Sequence, residues 1–141
     1  VGLALWQVAD PGNIGTLVRA ADGLGPAFIA LASGCADPTG PKALRASSGA
    51  IFRVPLAELD AAPGRRVALI AHGGKPLHEL DLDEGTTFVL GAEREGLPEA
   101  IVAECDESAT IPLEPGAESL NVGIAGALAL YEWRRRLSPG R

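Results

Sequence analysis

At 141 residues the chain is long enough for one domain with a substantial hydrophobic core, and 47% of its residues are apolar. A formal net charge of −6 is opposite to the basic balance that is typical of nucleic-acid-binding domains. The sequence has no apolar run of the roughly 18 residues that a membrane span needs, and no Cys/His set with metal-ligand spacing. Cys35 and Cys105 lie far apart and predict free thiols in the reducing cytoplasm. We therefore expect a cytoplasmic protein with no membrane segment and no metal site.

Short apolar runs alternate with helical patterns in the first half of the chain. Residues 2–8 predict a buried strand, and the turn residues that follow it allow Asn13 to cap a helix over residues 14–24. Apolar residues recur in this helix at spacings of three and four, and Arg19 falls off that apolar face. The pattern then predicts a strand at 27–32, a short helix at 41–46, a strand at 51–54 and a helix at 55–61.

The second half continues this alternation. It predicts strands at 67–71, 86–90 and 108–113, and a helix at 97–104 with Pro98 in its first turn. Strands that alternate with helices predict a single α/β domain over residues 1–141, with a mainly parallel sheet flanked by helices. Ligands of such sheets bind at the carboxyl ends of the strands.

The last predicted helix is apolar almost all round, from Val122 to Trp133. Ser119 or Asn121 is expected to cap it, because a short polar side chain accepts hydrogen bonds from first-turn N–H groups. A helix without a polar face must be covered on two sides. Gly123 and Gly126 lie inside this helix, where each costs about 1 kcal/mol relative to Ala. Either a core helix tolerates them, or another backbone approaches closely there.

Three segments carry specific strings: Asn-Ile-Gly and then Arg at 13–19, Leu-Gly-Ala-Glu and then Gly-Leu at 90–97, and Ile-Pro-Leu and then Ser-Leu-Asn-Val at 111–122. In this order they resemble the three motifs of the SpoU-type RNA ribose 2'-O-methyltransferases, which belong to the SPOUT class. One residue departs from the pattern. Pro115 stands where many members have Gly, which predicts a stiffer turn before Gly116.

The resemblance implies S-adenosylmethionine as cofactor, a ribose 2'-hydroxyl of structured RNA as methyl acceptor, and a reaction that needs no metal. It also implies a C-terminal trefoil knot and a homodimer built largely on the last helix, features that composition and periodicity do not indicate. Ribosomal RNA is favoured over transfer RNA as the substrate. Many relatives carry an RNA-binding domain before the catalytic one, and we expect such a domain to supply the basic surface that this chain lacks.

The motif positions imply three groups of site residues. The catalytic group is Arg19, Asn13, Glu93, Ser119 and Asn121. The cofactor-binding group is Gly91, Ile111 and Leu120, where Gly91 leaves room for the cofactor to approach. The RNA-binding group is Lys42, Arg45 and Ser47.

Individual roles within the catalytic group stay open at this point. Arg19 either anchors a phosphate beside the target ribose or acts as the base, and the usual charge of a guanidinium favours the anchor. Glu93 pairs with Arg19 or with a loop donor. Asn13 and Asn121 orient Arg19 or the ribose, and Ser119 donates to the substrate or holds its own loop.

Two other classes of protein compete with this interpretation. A dinucleotide-binding domain needs Gly-x-Gly-x-x-Gly after the first strand, and the turn at residues 10–15 lacks that spacing. A non-catalytic RNA-binding or dimerisation module of the same fold is the second alternative. The acidic charge disfavours an RNA grip by this chain alone, and the complete set of motif residues disfavours an inactive module.

Overall fold

The computed structural model describes residues 1–137, so residues 138–141 of the predicted domain lie outside the description. Its strands are β1 (Gly2–Leu5), β2 (Phe28–Leu31), β3 (Leu56–Glu58), β4 (Arg65–Leu69), β5 (Lys75–Pro76), β6 (Thr86–Leu90) and β7 (Glu107–Thr110). Its α-helices are α1 (Pro11–Leu24), α2 (Pro41–Ser47), α3 (Glu99–Glu104) and α4 (Val122–Leu137). Single 3₁₀ turns occupy Ala50–Phe52, Leu59–Ala61 and Leu77–Glu79.

The strands form one seven-stranded sheet in the order β3-β2-β1-β6-β4-β7-β5. Every strand pairing among the described residues is parallel, so the predicted mainly parallel α/β architecture is confirmed. β1 and β6 are neighbours in this order. The strand that follows β1 in the chain, β2, lies on one side of this pair, and the strand that follows β6, β7, lies on the other. Ligands of open α/β sheets bind at such a switch point, beside the carboxyl ends of the strands. The implied knot stays a prediction.

The hydrophobic core on one face of the sheet is larger than the core on the other. Leu3 and Phe88 point to the face covered by α1 and α4, together with most of the large buried side chains. Ala4 and Val89 point to the opposite face, where Leu59 and the half-buried Ile101 of α3 cover mainly small residues. The helices that carry the first and third motifs therefore lie on the same, thicker side.

Glycines allow α1 and α4 to pack closely. A Cβ at Gly126 would lie 2.3 Å from Leu17 Cδ2, and a Cβ at Gly123 would lie 3.0 Å from Thr16 Cγ2. Both approaches come from side chains of α1 in the same chain, so the packing of one subunit already accounts for the two glycines. Of the two alternatives, these contacts support a core helix that tolerates the glycines. Approach of a partner's backbone stays a prediction.

Two differences from the predicted segments have a clear physical cause. Asp10, not Asn13, caps α1: its Oδ1 accepts from Gly12 N at 2.7 Å, and Pro11 takes the first helical position. Residues 51–61, predicted as a strand and then a helix, form a 3₁₀ turn, the strand β3 and a second 3₁₀ turn. The carbonyl of Pro55 accepts from Ile29 N at 3.0 Å, and this hydrogen bond draws the following residues into the sheet beside β2.

The basic end of α4 serves the fold. The guanidinium of Arg134 donates to the carbonyl of Gly25, and that of Arg136 donates to the carbonyls of Leu80 and His78. Trp133 Nε1 donates to Asp83 O at 2.9 Å. These contacts fasten the helix to loops on both sides of it, so the charges of Arg134 and Arg136 are already occupied by backbone oxygens.

Candidate active site

A cleft of about 360 Å³ opens at the carboxyl ends of β4 and β6. Its walls come from the residues after β6, the segment after β7 and the first turns of α4. All three predicted cofactor-binding residues, Gly91, Ile111 and Leu120, line it, and so do Glu93 and Ser119 of the predicted catalytic group. The sheet therefore brings the second and third motif segments together, as parallel strands with a shared carboxyl edge require.

The loop after β6 makes one wall by folding back on itself. Gly96 N donates to Ala92 O at 3.0 Å, and Gly96 adopts a left-handed φ of 65°. A Cβ at Gly91 would lie 2.3 Å from the carbonyl carbon of Gly96 and 2.4 Å from Leu97 N. The residue has to be glycine because of this loop. The room that Gly91 leaves for the cofactor stays a prediction.

A chain of amide and carboxylate groups joins the three motif segments. Asn121 Nδ2 donates to Asn13 Oδ1 at 3.0 Å, and Asn13 Nδ2 donates to Glu93 Oε1 at 3.4 Å. The same Oε1 accepts from Asp10 N at 3.1 Å. Of the two predicted partners of Glu93, the loop donor is therefore the one found, and within residues 1–137 Glu93 makes no pair with Arg19.

Asn121 has a second task at the start of α4. Its Oδ1 accepts from Gly123 N at 2.8 Å and from Ile124 N at 3.2 Å, so of the two predicted caps Asn121 is the one used. Because the oxygen is held by these N–H groups, the amide nitrogen must point at Asn13. The cap therefore sets the orientation of the whole chain of groups.

Arg19 lies apart from the cleft. It follows Asn13 by six residues of α1, or about 9 Å along the helix axis, and its side chain is exposed. Among the described residues its guanidinium makes no hydrogen bond and no ion pair. Its fork of donors is thus available to an anion from outside the chain.

The model of the SpoU rRNA Methylase family matches residues 1–131. The chain belongs to this family. Since the match covers all three motif segments, α1 and most of α4, the SpoU resemblance inferred from the motifs is confirmed.

Relatives of this SpoU chain include proteins of defined activity. It is 33% identical to the 23S rRNA (guanosine(2553)-2'-O)-methyltransferase of Bacillus subtilis, over 94% of this chain and 57% of that protein. The AdoMet-bound rRNA methyltransferase from Sinorhizobium meliloti superposes with a TM-score of 0.89 at 34% identity, over 96% of this chain and 56% of the other. A structure that concerns the 2-OH methylation of C/U34 on tRNA superposes with a TM-score of 0.89 at 32% identity, over 99% of this chain and 97% of the other.

The lengths covered differ among these SpoU relatives. The chain spans about half the length of the curated relatives it matches, 53% and 57% for two of them. The structure concerned with tRNA is matched along almost its whole length. Length alone therefore does not favour one class of RNA.

The predicted RNA-binding residues of this SpoU chain lie on α2, which packs against α1 at Gly15. Lys42 and Arg45 are exposed, and Lys42 Nζ lies 3.7 Å from Asp10 Oδ1. Ser47 is only 1% exposed, and its hydroxyl donates to Leu44 O at 3.0 Å. A buried hydroxyl that is already bonded offers RNA no contact, so the interpretation of Ser47 as an RNA ligand is wrong.

A second cleft of about 390 Å³ adjoins the first and shares Ala92, Glu93, Arg94 and Glu95 with it. Its other walls are Gln7, Ala9 and Gly34. Gln7 has a left-handed φ of 50°, and non-glycine residues in this region concentrate at functional sites. The sequence interpretation missed Gln7 because it took residues 2–8 as one strand, whereas β1 ends at Leu5. A polar residue at the end of an apolar run was the available signal.

The thiols and possible metal ligands add no further chemistry to the site. Cys35 and Cys105 are free, and burial raises the pKa of each thiol, so both are protonated at neutral pH and weak nucleophiles. Within residues 1–137 no group of three His, Cys, Asp or Glu side chains is placed to hold a metal ion. No helix of that part of the chain is both long and apolar enough to span a bilayer.

Proposed function

We propose that the protein transfers a methyl group from S-adenosylmethionine to a ribose 2'-hydroxyl of RNA, with ribosomal RNA as the substrate. The observation that carries this proposal is the pair of adjoining clefts that share Glu93, the residue at which the Asn121–Asn13–Glu93 chain of hydrogen bonds ends. The Bacillus subtilis relative, named as a 2'-O-methyltransferase of 23S rRNA, supports it. As ribosomal RNA is a cytoplasmic substrate in bacteria, we place the protein in the cytoplasm.

The first cleft fits the cofactor. Ligand sites of about 300 to 1,000 Å³ hold small molecules of this class, mostly by apolar contact with a few polar groups. Ile111 and Leu120 supply apolar cover, and Ser119 and the backbone beside Gly91 supply polar groups. When bound, S-adenosylmethionine supplies an electrophilic methyl group whose sulfonium is a good leaving group. The protein then has to position the acceptor and assist with one proton.

The second cleft would take the acceptor nucleotide. An occupant of this cleft lies against the same residues, Ala92 to Glu95, as an occupant of the first. One oxygen of Glu93 is held by Asp10 N and Asn13, and the other is left for a ribose hydroxyl. Arg19 anchors a phosphate of the RNA with its unoccupied donors, which agrees with its exposed position outside the cofactor cleft.

A homodimer belongs to the same proposal. Ile124, Leu128 and Tyr131 recur on one side of α4 at spacings of four and three, with 52%, 40% and 55% of their surfaces exposed. We expect a second copy to cover this stripe. Leu128→Glu would then bury an unpaired charge at the interface and should shift the sedimentation coefficient from dimer to monomer. A wild-type protein that sediments as a monomer at micromolar concentration would refute the dimer.

Calorimetry with S-adenosylmethionine separates the proposed enzyme from a non-catalytic module. We expect saturable binding by the wild type and at least tenfold weaker binding by Leu120→Asp, which places a charge in the apolar wall. The control Leu44→Asp alters an exposed leucine of α2, away from the cleft, and should bind normally. A wild type that takes up no cofactor would favour the module.

The class of RNA needs its own experiment. Single-turnover transfer of a labelled methyl group is measured on ribosomal RNA and on transfer RNA, each with and without EDTA. We expect faster transfer to ribosomal RNA and no effect of chelation. Transfer to tRNA alone would show that the substrate is transfer RNA, the RNA named for one of the similar structures. Loss of activity in EDTA that Mg²⁺ restores would overturn the metal-free reaction.

A further inference from the structure

Phe52 is the most exposed large apolar side chain among the described residues. Its exposed fraction is 88%, whereas the other exposed large apolar residues lie between 38% and 55%. An aromatic ring in water is unfavourable by the usual cost of exposed apolar area. A ring presented so fully to solvent therefore calls for an occupant.

The local backbone holds Phe52 outward. Ser48 and Gly49 adopt left-handed φ angles of 51° and 83°, which turn the chain sharply after α2. Ala50 and Val54, on either side of Phe52, are 1% and 5% exposed and fix the turn in the core. The ring is thus preorganised, and little conformational entropy is lost when something stacks on it.

Arg53 fastens the same turn to α1. Its Nε donates to Asp22 Oδ1 at 2.9 Å, and its Nη2 donates to Asp22 Oδ2 at 2.7 Å. Gly15, Arg19 and Asp22 share one side of α1, because they follow at spacings of four and three. Gly15 contacts α2 and Asp22 contacts Arg53, so Arg19 lies on the ridge between these two contacts, beside the turn that carries Phe52.

Charge on this side of the molecule is less acidic than on the rest. Residues 10–58 contain four basic side chains, Arg19, Lys42, Arg45 and Arg53, and four acidic ones, Asp10, Asp22, Asp37 and Glu58, in a chain of net charge −6. Lys42 and Arg53 lie against Asp10 and Asp22, so Arg19 and Arg45 are the cations of this region that have no acidic partner among the described residues. The surface formed by α1, α2 and the 50–52 turn, named here the α1–α2 surface, is therefore the part of the chain best suited to a polyanion.

We propose that Phe52 stacks on an unpaired base of the substrate RNA, while Arg19 and Arg45 contact phosphates on either side of that base. The inference rests on the proposed function, since it deepens the RNA site of the same enzyme. An aromatic ring among cations is the combination by which proteins hold single-stranded nucleic acid. Unstacked bases in loops and bulges are what proteins recognise on structured RNA.

A second copy of the chain is the competing occupant. The apolar stripe of α4 lies on the other flank of α1, because Gly123 of α4 packs against Thr16, about 100° around the helix from Gly15. The segments around Phe52 expose Lys42, Arg45 and Arg53 together with Leu44 and Leu56, whereas the exposed stripe of α4 is apolar throughout. Charge complementarity thus assigns the two surfaces to different occupants, RNA and a second subunit.

Three variants of the full chain test the stacking. Phe52→Ala and Phe52→Leu remove the ring, and Phe52→Trp, which keeps an aromatic ring, is the matched control. Affinity is measured for a hairpin RNA with an unpaired loop and for a fully paired duplex of the same stem. Sedimentation and calorimetry with S-adenosylmethionine report the dimer and the cofactor site separately.

Stacking of one base on an aromatic side chain corresponds to about 5- to 150-fold in Kd. We expect Phe52→Ala and Phe52→Leu to lose this factor on the hairpin and much less on the duplex, with Phe52→Trp close to wild type and cofactor binding unchanged. An unchanged hairpin affinity in Phe52→Ala, or a loss of the dimer in that variant, would overturn the proposal. A wild type that binds the hairpin through Phe52 but methylates no RNA would refute the proposed function and leave the stacking in place.

Discussion

The side-chain oxygen of Asn121 caps α4 and so contributes stability, and its side-chain nitrogen donates to Asn13 and so orients the site. Substitutions of Asn121 can separate these two effects. Asn121→Ala removes both the cap of α4 and the donor to Asn13. Loss of an N-cap costs about 0.5 to 2 kcal/mol, and loss of a partly exposed hydrogen bond adds about 0.5 to 1 kcal/mol. A total of about 1 to 3 kcal/mol should lower the Tm of a domain of this size by about 3 to 12 °C.

Asn121→Asp is the matched variant. Its carboxylate keeps the oxygen that accepts from Gly123 N and Ile124 N, and a negative charge is favourable at a helix N-terminus. It cannot donate to Asn13, so the Asn13 amide would turn its nitrogen towards residue 121 and its oxygen towards the carboxylate of Glu93. We therefore expect a Tm within about 2 °C of wild type and a large loss of methyl transfer.

Thermal unfolding followed by circular dichroism and single-turnover methyl transfer are the two assays for these variants. An Asn121→Asp protein with wild-type turnover would show that the Asn121–Asn13–Glu93 chain does not orient the site. An Asn121→Ala protein with an unchanged Tm would show that the observed cap contributes no stability.

Three further predictions follow from named contacts. Gly126→Ala should lower the free energy of unfolding by about 1 to 2 kcal/mol, because the added Cβ would lie 2.3 Å from Leu17 Cδ2. The control Gly23→Ala has open space around its Cβ and should be neutral or stabilising. Equal effects of the two substitutions in urea unfolding would refute the close packing of α1 and α4. Arg19→Ala should abolish methyl transfer with cofactor affinity close to wild type in calorimetry, and normal turnover would remove Arg19 from the mechanism. Hydrogen bonds from Arg135 hold the pKa of Glu132 below its usual value of 4.5. The stabilisation that ionised Glu132 contributes is therefore present above pH 4.5 and is lost as the pH falls through the lowered pKa. Glu132→Gln should destabilise the protein at about pH 7 and match wild type in acid unfolding at about pH 2, and a constant difference across pH would contradict this.

The features that the sequence predicted correctly have strong local signals. Alternation of apolar runs and helical patterns predicts a parallel sheet whatever the exact strand ends, and the motif strings select which loops meet at its carboxyl edge. Asn121 was one of two predicted caps because it precedes an apolar helix. Asp10-Pro11 also carries the N-cap and first-turn signature, and attention to it would have placed the start of α1 correctly.

The features that the sequence did not predict depend on contacts between distant segments. The reason for a glycine at position 91 is the backbone of Gly96, and the reason at 126 is Leu17; neither neighbour is adjacent in the sequence. Ser47 is buried because α2 packs on α1, and Phe52 is exposed within an apolar string that predicts a strand in the core. Arg134 and Arg136 of α4 donate to carbonyls of residues far away in the sequence, which a run of arginines does not indicate.

Mapping of the transferred methyl group tests the central claim most directly. RNA is incubated with the protein and with S-adenosylmethionine that carries a deuterated methyl group, digested to nucleosides and fragments, and examined by mass spectrometry. The account predicts that the label appears on the ribose 2'-oxygen of one nucleotide in ribosomal RNA, and that it is absent with Arg19→Ala. Label on a base, or no label in any RNA although the cofactor is bound, would contradict it.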